Sequence, residues 1–433
     1  MSAAAGPVPS PVPLRRPSAP RRASAARRAA PAVLALLAAA AGAGADAPEL
    51  SGTLVSSAAA SAGAGGAAVF SMGWEEYCNL RLKAAAGERG TVYAAANLVA
   101  ASGSYLPPAA VLAQTAFVAG ENYAAALELE RLYLRIRGEA LDFEAGLLRL
   151  SLGYGPAWRP VDFLSPPNPL VPDARPRGLL GAVVSAYPSG TSRIKAFLAA
   201  PTDPRDAEAE GTALGVAGDV HGGRASLLGL YAFRTPEPGY PRGRHIAGLS
   251  AKLEAGAGFV LDALYEWNPD AGAGWNGLRA AVGADYSLFG GDLYVLGQYL
   301  YNGPGALDPG DDVGDLYDSS GDPWYETAPA ERLPAPGVEP SAFNRRNYLL
   351  ASFLYRFGDY TRATLSCAAC LDDLSFLPSL TVEHEPFQGL AVSGTVRVPL
   401  DARSLSGSGG YGELGPANSG SRGSVTLSAK LRF

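Results

Sequence analysis

The last ten residues, 424–433, read Ser-Val-Thr-Leu-Ser-Ala-Lys-Leu-Arg-Phe. Successive side chains of a β-strand point to opposite faces, so an extended segment sorts these residues into two sets. One face is apolar throughout and ends on the aromatic terminal residue; it comprises Val425, Leu427, Ala429, Leu431 and Phe433. The other face is polar throughout and comprises Ser424, Thr426, Ser428, Lys430 and Arg432. The segment therefore predicts a strand between an apolar and an aqueous environment.

This terminal strand resembles the β-signal by which the barrel-assembly machinery recognises outer-membrane proteins. The resemblance is carried by Val425, Leu427, Leu431 and Phe433. It implies a transmembrane β-barrel closed by a C-terminal strand, located in the cell outer membrane, with outer-membrane lipids and the assembly machinery as partners. The alternative is the edge strand of a soluble sandwich, but such a strand rarely stops at the last residue with its aromatic side chain outward.

The same alternation appears in a hairpin upstream. Apolar residues recur at every second position of residues 278–286 and again of residues 293–301, and Phe289-Gly290-Gly291-Asp292 joins the two segments. Glycine supplies the positive φ that a tight hairpin turn requires. We therefore expect Val282 and Val295 to face lipid and their neighbours Gly283 and Leu296 to face the interior, where an introduced arginine is tolerated better.

Similar pairs of segments recur along the body from a first strand near residues 50–57. They predict an all-β, antiparallel barrel of about 16–18 strands. Short turns lie on one side of this arrangement, and the long segments 102–125, 151–178 and 303–345 lie on the other. Because short turns of outer-membrane barrels face the periplasm, the long segments are expected outside the cell.

The first 45 residues differ from the body. Arginine pairs up to Arg27-Arg28 precede an apolar run, 29–41, and then Ala43-Gly44-Ala45. A basic n-region, a short apolar h-region and a small-x-small site are the parts of a signal peptide, here with a long n-region. We predict that residues 1–45 are the signal peptide and residues 46–433 the barrel. The true start codon is left open.

Several functional classes are disfavoured. The net charge of −6 and the absence of a Lys/Arg-rich stripe in the body argue against nucleic acid. Cys367 and Cys370 are expected on opposite faces of one strand, so no metal site or cofactor is predicted. The histidines, His221, His245 and His384, come with no recognisable nucleophile or partner carboxylate, so an enzyme is not expected.

The faces opposite the apolar ones carry many charged residues, and a charged interior must contain water. A barrel of this size is too wide for side chains to fill. Basic residues outnumber acidic ones, which favours anions mildly. The predicted pore-lining or constriction residues are Arg131, Arg135, Arg149, Arg159, Asp162, Arg279, Arg356 and Arg362. For most of them individually, pairing with a neighbouring charge as a strut of the wall is the favoured interpretation.

The segment 148–169, which contains Arg149, Gly155, Trp158 and Pro166-Pro167-Asn168-Pro169, resembles a recurring piece of porin-like outer-membrane families. In those families a strand ends Gly-Arg-Gln, three residues, Trp-Gly, and the next loop carries Asp and Pro. Arg149 and Gly155 match, whereas Leu148, Leu150 and Tyr154 depart from the pattern. A loop this rich in proline is stiff and is expected to fold inward as a constriction, with Arg149 and Arg159 facing Asp162; an ordinary extracellular loop is the alternative.

These observations predict a porin-like channel for passive diffusion of small polar solutes, with a mild preference for anions. Two alternatives stay open, an adhesin or structural barrel and a barrel for uptake of hydrophobic ligands such as lipid. Leu228, Leu230, Leu296 and Leu300 face inward in this interpretation but form no obvious continuous lining. The acidic segment 303–345 is interpreted as a solvated outer loop. Solute identity and oligomeric state are left open.

Overall fold

The structure is a computed structural model that describes residues 48–63, 70–103, 116–119, 123–167, 169–170, 178–200, 211–236, 242–267, 277–305, 345–402, 412–415 and 421–433. The predicted signal peptide and most of the acidic segment 303–345 lie outside the described residues. The described part consists almost wholly of β-strands. None of its helices is long and apolar enough to cross a membrane.

The strands follow one another in a single chain of hairpins. Their bounds are Glu49–Gly63 (β1), Phe70–Ala86 (β2), Gly90–Gly103 (β3), Ala116–Ala119 (β4), Tyr123–Arg137 (β5), Leu141–Leu148 (β6), Leu179–Ser189 (β7), Ser192–Ala200 (β8), Ala213–Gly222 (β9), Ala225–Arg234 (β10), Arg244–Ala255 (β11), Ala257–Trp267 (β12), Leu278–Leu288 (β13), Leu293–Asn302 (β14), Asn347–Arg356 (β15), Thr361–Cys370 (β16), Ser375–Phe387 (β17), Leu390–Arg397 (β18), Leu400–Asp401 (β19) and Ser421–Arg432 (β20).

Eighteen of these strands form a closed antiparallel barrel, which confirms the predicted fold class and the upper end of the predicted strand number. Each strand pairs with the next, and β20 pairs with both β18 and β1. The short strands β4 and β19 are additions to the wall that pair with β5 and β17. Closure leaves the sheet with no exposed edge, which a chain in lipid requires because unpaired backbone groups there find no water.

The seam is closed at the terminal residue. Gly52 donates a backbone hydrogen bond to the Phe433 carbonyl oxygen at 2.8 Å, and the Phe433 N–H returns one to Gly52 at 3.1 Å. The Phe433 ring lies where a Cβ on residue 52 would be, so glycine makes room for it. The four residues of the predicted assembly signal point outward and are exposed; they are Val425, Leu427, Leu431 and Phe433. Their role in assembly stays a prediction.

The two ends of the barrel differ as predicted, with one exception. Eight connections of at most four residues lie at the end that holds Glu49 and Phe433. The longer connections lie at the opposite end, but so does a short turn, 371–374, between β16 and β17. Leu374 has a positive φ of 58° there, and Asp373 accepts hydrogen bonds from Ser375, so a side chain rather than glycine shapes this turn.

Several strands are longer than the alternation indicated. The first strand reaches Gly63 rather than residue 57, and the residues added to it are alanine, serine and glycine, whose small side chains carry little hydrophobic contrast between faces. Pairing with β2, not side-chain pattern, defines this end. β2 begins at Phe70, and its first residues do alternate, with Phe70, Met72 and Trp74 exposed on the outer face.

The two faces of the wall separate as predicted. Val282 is 52% exposed on the outer face, whereas its inward neighbour Ala281 is fully buried. Cys367 and Cys370 also fall on opposite faces, and Cys370 is buried inside. Leu296, however, is only 9% exposed because other side chains inside the barrel cover it. The expectation that an arginine is tolerated there is therefore wrong.

Candidate functional site: a loop inside the barrel

The connection between β6 and β7 turns into the barrel, as expected for a constriction. Leu150, Leu152 and Val161 of this loop are buried, and they pack against inward side chains of β7 to β12. Those wall residues are Val183, Phe197, Ala217, Leu228, Leu230, Ala232, Ile246 and Leu264. Farther along, Ala157 and Trp158 pack against β13 to β16, where Trp158 lies 6.4 Å from the Tyr348 ring. We call residues 149–167 and 169–170 the inner loop.

Burial of apolar surface holds the inner loop to one side of the barrel. Each fully buried side chain of this size contributes roughly 1.5–3 kcal/mol. The inward leucines Leu228, Leu230, Leu296 and Leu300 belong to these two clusters and lie beneath the loop. They are therefore packing residues and do not form an apolar track for a ligand.

Gln298 of β14 fixes the inner loop through its backbone. Its side-chain oxygen accepts hydrogen bonds from the N–H groups of Ala157 at 3.2 Å and Trp158 at 2.8 Å. Its side-chain nitrogen donates to the Trp158 carbonyl oxygen at 2.7 Å. Gln298 is 1% exposed, so water does not reach this place. The hydrogen bonds to Gln298 therefore satisfy the backbone groups in place of water. All three hydrogen bonds are to backbone groups of the loop and add to the packing of the Ala157 and Trp158 side chains.

Asp262 of β12 lies directly against the preceding part of the loop. Its carboxylate is fully buried beside Ser250, whose hydroxyl accepts a hydrogen bond from the Tyr154 N–H at 3.0 Å. It lies so close to the Cα atoms of Gly153 and Gly155 that a Cβ on either glycine would collide with it. Gly153 also has a φ of +82°, which L side chains seldom adopt. These two glycines let the loop pass directly over the carboxylate.

Within the loop, Arg159 and Asp162 form the predicted pair. Their side chains approach to 3.6 Å, and Ser151 donates a hydrogen bond to Asp162 at 3.1 Å. Burial of this loop residue nevertheless raises the pKa of Asp162 to about 7, against the opposing attraction of Arg159. Arg149 is exposed and attracts Asp162 only at longer range. Of the two arginines predicted to face Asp162, Arg159 is the one that pairs with it.

The other predicted pore-lining residues lie on the inner wall but are not gathered at one place. Arg135 pairs with Glu144 at 2.7 Å, Arg362 with Glu383 at 2.7 Å, and Arg279 with Glu266 at 3.6 Å. Three of the residues thus stand next to an opposite charge, which is the arrangement that the strut interpretation expects. Pairing lowers the electrostatic field that a solute inside the barrel meets. The fields of two opposite charges in contact largely cancel at a distance, and salt screens what remains.

Two of the predicted residues have other surroundings. Arg131 lies 5.9 Å from the centroid of the Tyr93 ring and 3.3 Å from Glu130, and Tyr93 itself stacks on Tyr133. Arg356 is exposed at the end of β15 and stands directly opposite Arg362. The pore-lining role of all eight residues stays a prediction.

A polar network at the short-turn end was not anticipated. His221 bonds Asp219 at 3.1 Å through Nε2 and Ser226 at 3.0 Å through Nδ1, and Asp219 also accepts a hydrogen bond from Arg193 at 3.0 Å. The expectation that His221 has no partner carboxylate or hydroxyl is therefore wrong. Asp219 and His221 share a face as residues i and i+2, and Ser226 is the cross-strand partner of His221. The hairpin register alone is sufficient to find this cluster.

A second unanticipated cluster ties segment 412–415 to the opposite end of the barrel. The carboxylate of Asp373 accepts hydrogen bonds from Ser375 and, at 2.7 Å, from the Glu413 N–H. Glu413 in turn accepts one from the Tyr348 hydroxyl, and Cys370 lies within the same cluster. With its oxygens already bonded to the chain and Arg345 3.8 Å away, Asp373 acts as a tether for this segment.

The sequence matches no protein-family model, and no curated protein matches it. Solved structures do match. OccAB4 of Acinetobacter baumannii superimposes with a TM-score of 0.52 at 10% identity, over 90% of this chain and 99% of that one. OccK8 (OprE) of Pseudomonas aeruginosa has a TM-score of 0.52 at 11% identity, over 89% and 98%. A mutant of the Rh. blastica porin matches at 11% identity over 89% and 100%, with a TM-score of 0.44.

The chain has the fold of porin-like outer-membrane β-barrels. This confirms the predicted resemblance at the level of the fold. At 10–11% identity the likeness assigns no solute, and the function must be argued from the interior of this barrel.

Proposed function

We propose that this protein is an outer-membrane channel for passive diffusion of small polar solutes, with a mild preference for anions. The observation that carries the proposal is a closed barrel of eighteen strands in which the inner loop packs against only part of the wall. Side chains cannot fill the remaining width, so water occupies it. A water-filled passage through a sealed membrane conducts small solutes.

The mildness of the anion preference follows from the ion pairs. Arginines such as Arg135 and Arg362 have acidic partners, so the surplus of positive charge is small and spread along the wall. Arg356, exposed beside Arg362, contributes to that surplus. An adhesin shares the same wall, but nothing in the described interior favours it. Uptake of a hydrophobic ligand is disfavoured because the inward leucines are covered by the inner loop.

The test is planar-bilayer recording of residues 46–433, refolded in detergent and reconstituted. We expect discrete conductance steps and a reversal potential in a KCl gradient that indicates weak anion selectivity. The selectivity should fall as salt rises, because the Debye length shortens from roughly 10 Å at 0.1 M to about 3 Å at 1 M.

Arg356→Gln should move the reversal potential toward cation selectivity, because it removes one charge from the inner wall. Arg89→Gln is the matched control, since Arg89 lies in the β2–β3 turn and is exposed outside the passage. A barrel that inserts but passes no current at any salt concentration would contradict the proposed function.

A further inference from the structure

Four threonines stand side by side on the inner wall of the barrel. Thr364, Thr381, Thr395 and Thr426 come from four neighbouring strands, β16, β17, β18 and β20, and each is in direct register with the next. Their sequence neighbours on the outer face, such as Leu365 and Leu427, are exposed and apolar. The row therefore belongs to the interior of the barrel.

Serines extend the row on both sides along the same strands. We call the resulting set of nine residues the hydroxyl face; it comprises Thr364, Ser366, Ser379, Thr381, Ser393, Thr395, Ser424, Thr426 and Ser428. Strands lie about 4.8 Å apart and alternate residues about 6.7 Å apart, so the face covers roughly 14 Å by 13 Å. This is the extent of a short oligosaccharide.

All nine side chains are half-buried, in contrast to the buried inner side chains beneath the inner loop. Thr381 and Thr395 bond each other at 3.0 Å, and Ser366 contacts Ser379 at 3.5 Å. A hydroxyl has one donor and two acceptor sites, so each partner in such a bond keeps capacity for a further one. The face can therefore exchange its water for another hydrogen-bonding surface.

The face itself carries no charge, and the charged residues that border it on the inner wall are mostly basic, with Arg362, Arg397 and Lys430 against Glu383. Arg362 and Glu383, paired at 2.7 Å, stand in the row with Ser393 and Ser428, and Arg397 stands in the row with Ser379 and Ser424. A charged solute gains little from neutral hydroxyls, whereas a solute that itself carries many hydroxyls can both donate to them and accept from them. Threonine is common in strands for reasons of packing alone, but packing does not require nine adjacent hydroxyls on the wetted side.

We propose that the hydroxyl face is a binding track for neutral, polyhydroxylated solutes, with short oligosaccharides as the ligand class. The proposal rests on the channel function and names its substrate class. Each hydrogen bond made on the face replaces one made to water, so binding at any one position is weak. Weak binding at many equivalent positions suits a track, because the solute gains from entering and is not held.

The probe is maltotriose, added to reconstituted protein whose ion current has already been recorded. Maltotriose should interrupt the current in a concentration-dependent way, and polyethylene glycol of similar size, which has few hydroxyls, should interrupt it far less. In Thr381→Val/Thr395→Val the sugar-induced interruptions should require about tenfold more sugar, since two hydrogen bonds are lost without a change of shape.

Two further variants separate hydroxyl loss from damage to the barrel. Thr381→Ser/Thr395→Ser keeps both hydroxyls and should retain the sugar response. Thr91→Val, on the inner face of β3 away from the track, should also retain it. A conducting barrel that is insensitive to maltotriose, or one in which the valine pair responds like the unmodified chain, overturns the track and leaves the channel standing. A barrel without ion current overturns the channel and the track together.

Discussion

The two sides of the barrel interior have opposite chemistry although their strands follow the same alternation. Beneath the inner loop, the inner face of β10 carries Leu228, Leu230 and Ala232, all buried. Across the interior, the inner face of β17 carries Ser379, Thr381 and Glu383, all half-buried. Strands that are apolar on both faces mark where a loop covers the wall, and cleanly alternating strands mark the wall that stays wet.

The largest effect that this comparison predicts concerns an arginine placed inward on each side. Leu230→Arg should lower the free energy of unfolding by about 3 kcal/mol or more, because it buries an unpaired charge and removes packing under the inner loop. Thr426→Arg, inward on the hydroxyl face, should cost far less because water reaches it. The midpoint of chemical unfolding in detergent measures both, and equal losses would mean that the two sides do not differ in access to water.

The outer face supplies a second comparison. Val282→Arg places a charge toward lipid near the middle of β13 and should cost about 2–4 kcal/mol after insertion into bilayers. Ser379→Arg, inward on β17, is the matched control and should be tolerated. If Val282→Arg unfolds at the same denaturant concentration as the unmodified chain, the outer face is not in contact with lipid.

A third, smaller effect concerns the attachment of the inner loop. Gln298→Ala leaves the N–H groups of Ala157 and Trp158 without their acceptor, which should cost roughly 1–3 kcal/mol. A loosened loop should also make the open-channel current noisier. Gln388→Ala, in the exposed β17–β18 turn, is the control and should leave current and stability unchanged. An unchanged current in Gln298→Ala would mean that other contacts suffice to hold the loop.

A fourth effect is a dependence on pH. The pKa of Asp162 is raised by burial to about 7, so between pH 4 and pH 7 the folded chain holds a proton that the unfolded chain releases. Stability should therefore fall as pH rises through this window, and Asp162→Asn should flatten that slope. The unfolding midpoint of both proteins from pH 4 to pH 8 checks this; identical slopes would exclude Asp162 as the titrating group.

Alternation was sufficient to predict the barrel, its closing strand and the separation of faces, because a strand between lipid and water must repeat every second residue. It did not predict that the inward leucines are buried, since a strand facing a packed loop and a strand facing lipid look alike in sequence. Leu296 is the residue at which this ambiguity led to a wrong expectation.

The sequence predicted only part of the inner-loop site, because only some of its contacts join residues that are close in sequence. Arg159 and Asp162 are three residues apart, so their contact is local and follows from the segment itself. Gln298 and Asp262 lie on distant strands, and their contacts with the inner loop depend on how far the loop reaches across the barrel. Such long-range contacts leave no periodic signal.

The measurement that tests the two-sided interior most directly is chemical access to a single introduced cysteine. Thr426→Cys should react with a charged, membrane-impermeant thiol reagent during recording, and the reaction should reduce the current stepwise. Leu230→Cys should not react, because the inner loop covers it. The unmodified chain is the blank, since Cys370 is buried and Cys78 and Cys367 face outward. Reaction at residue 230 with current block, or none at residue 426, would contradict a passage along the hydroxyl face.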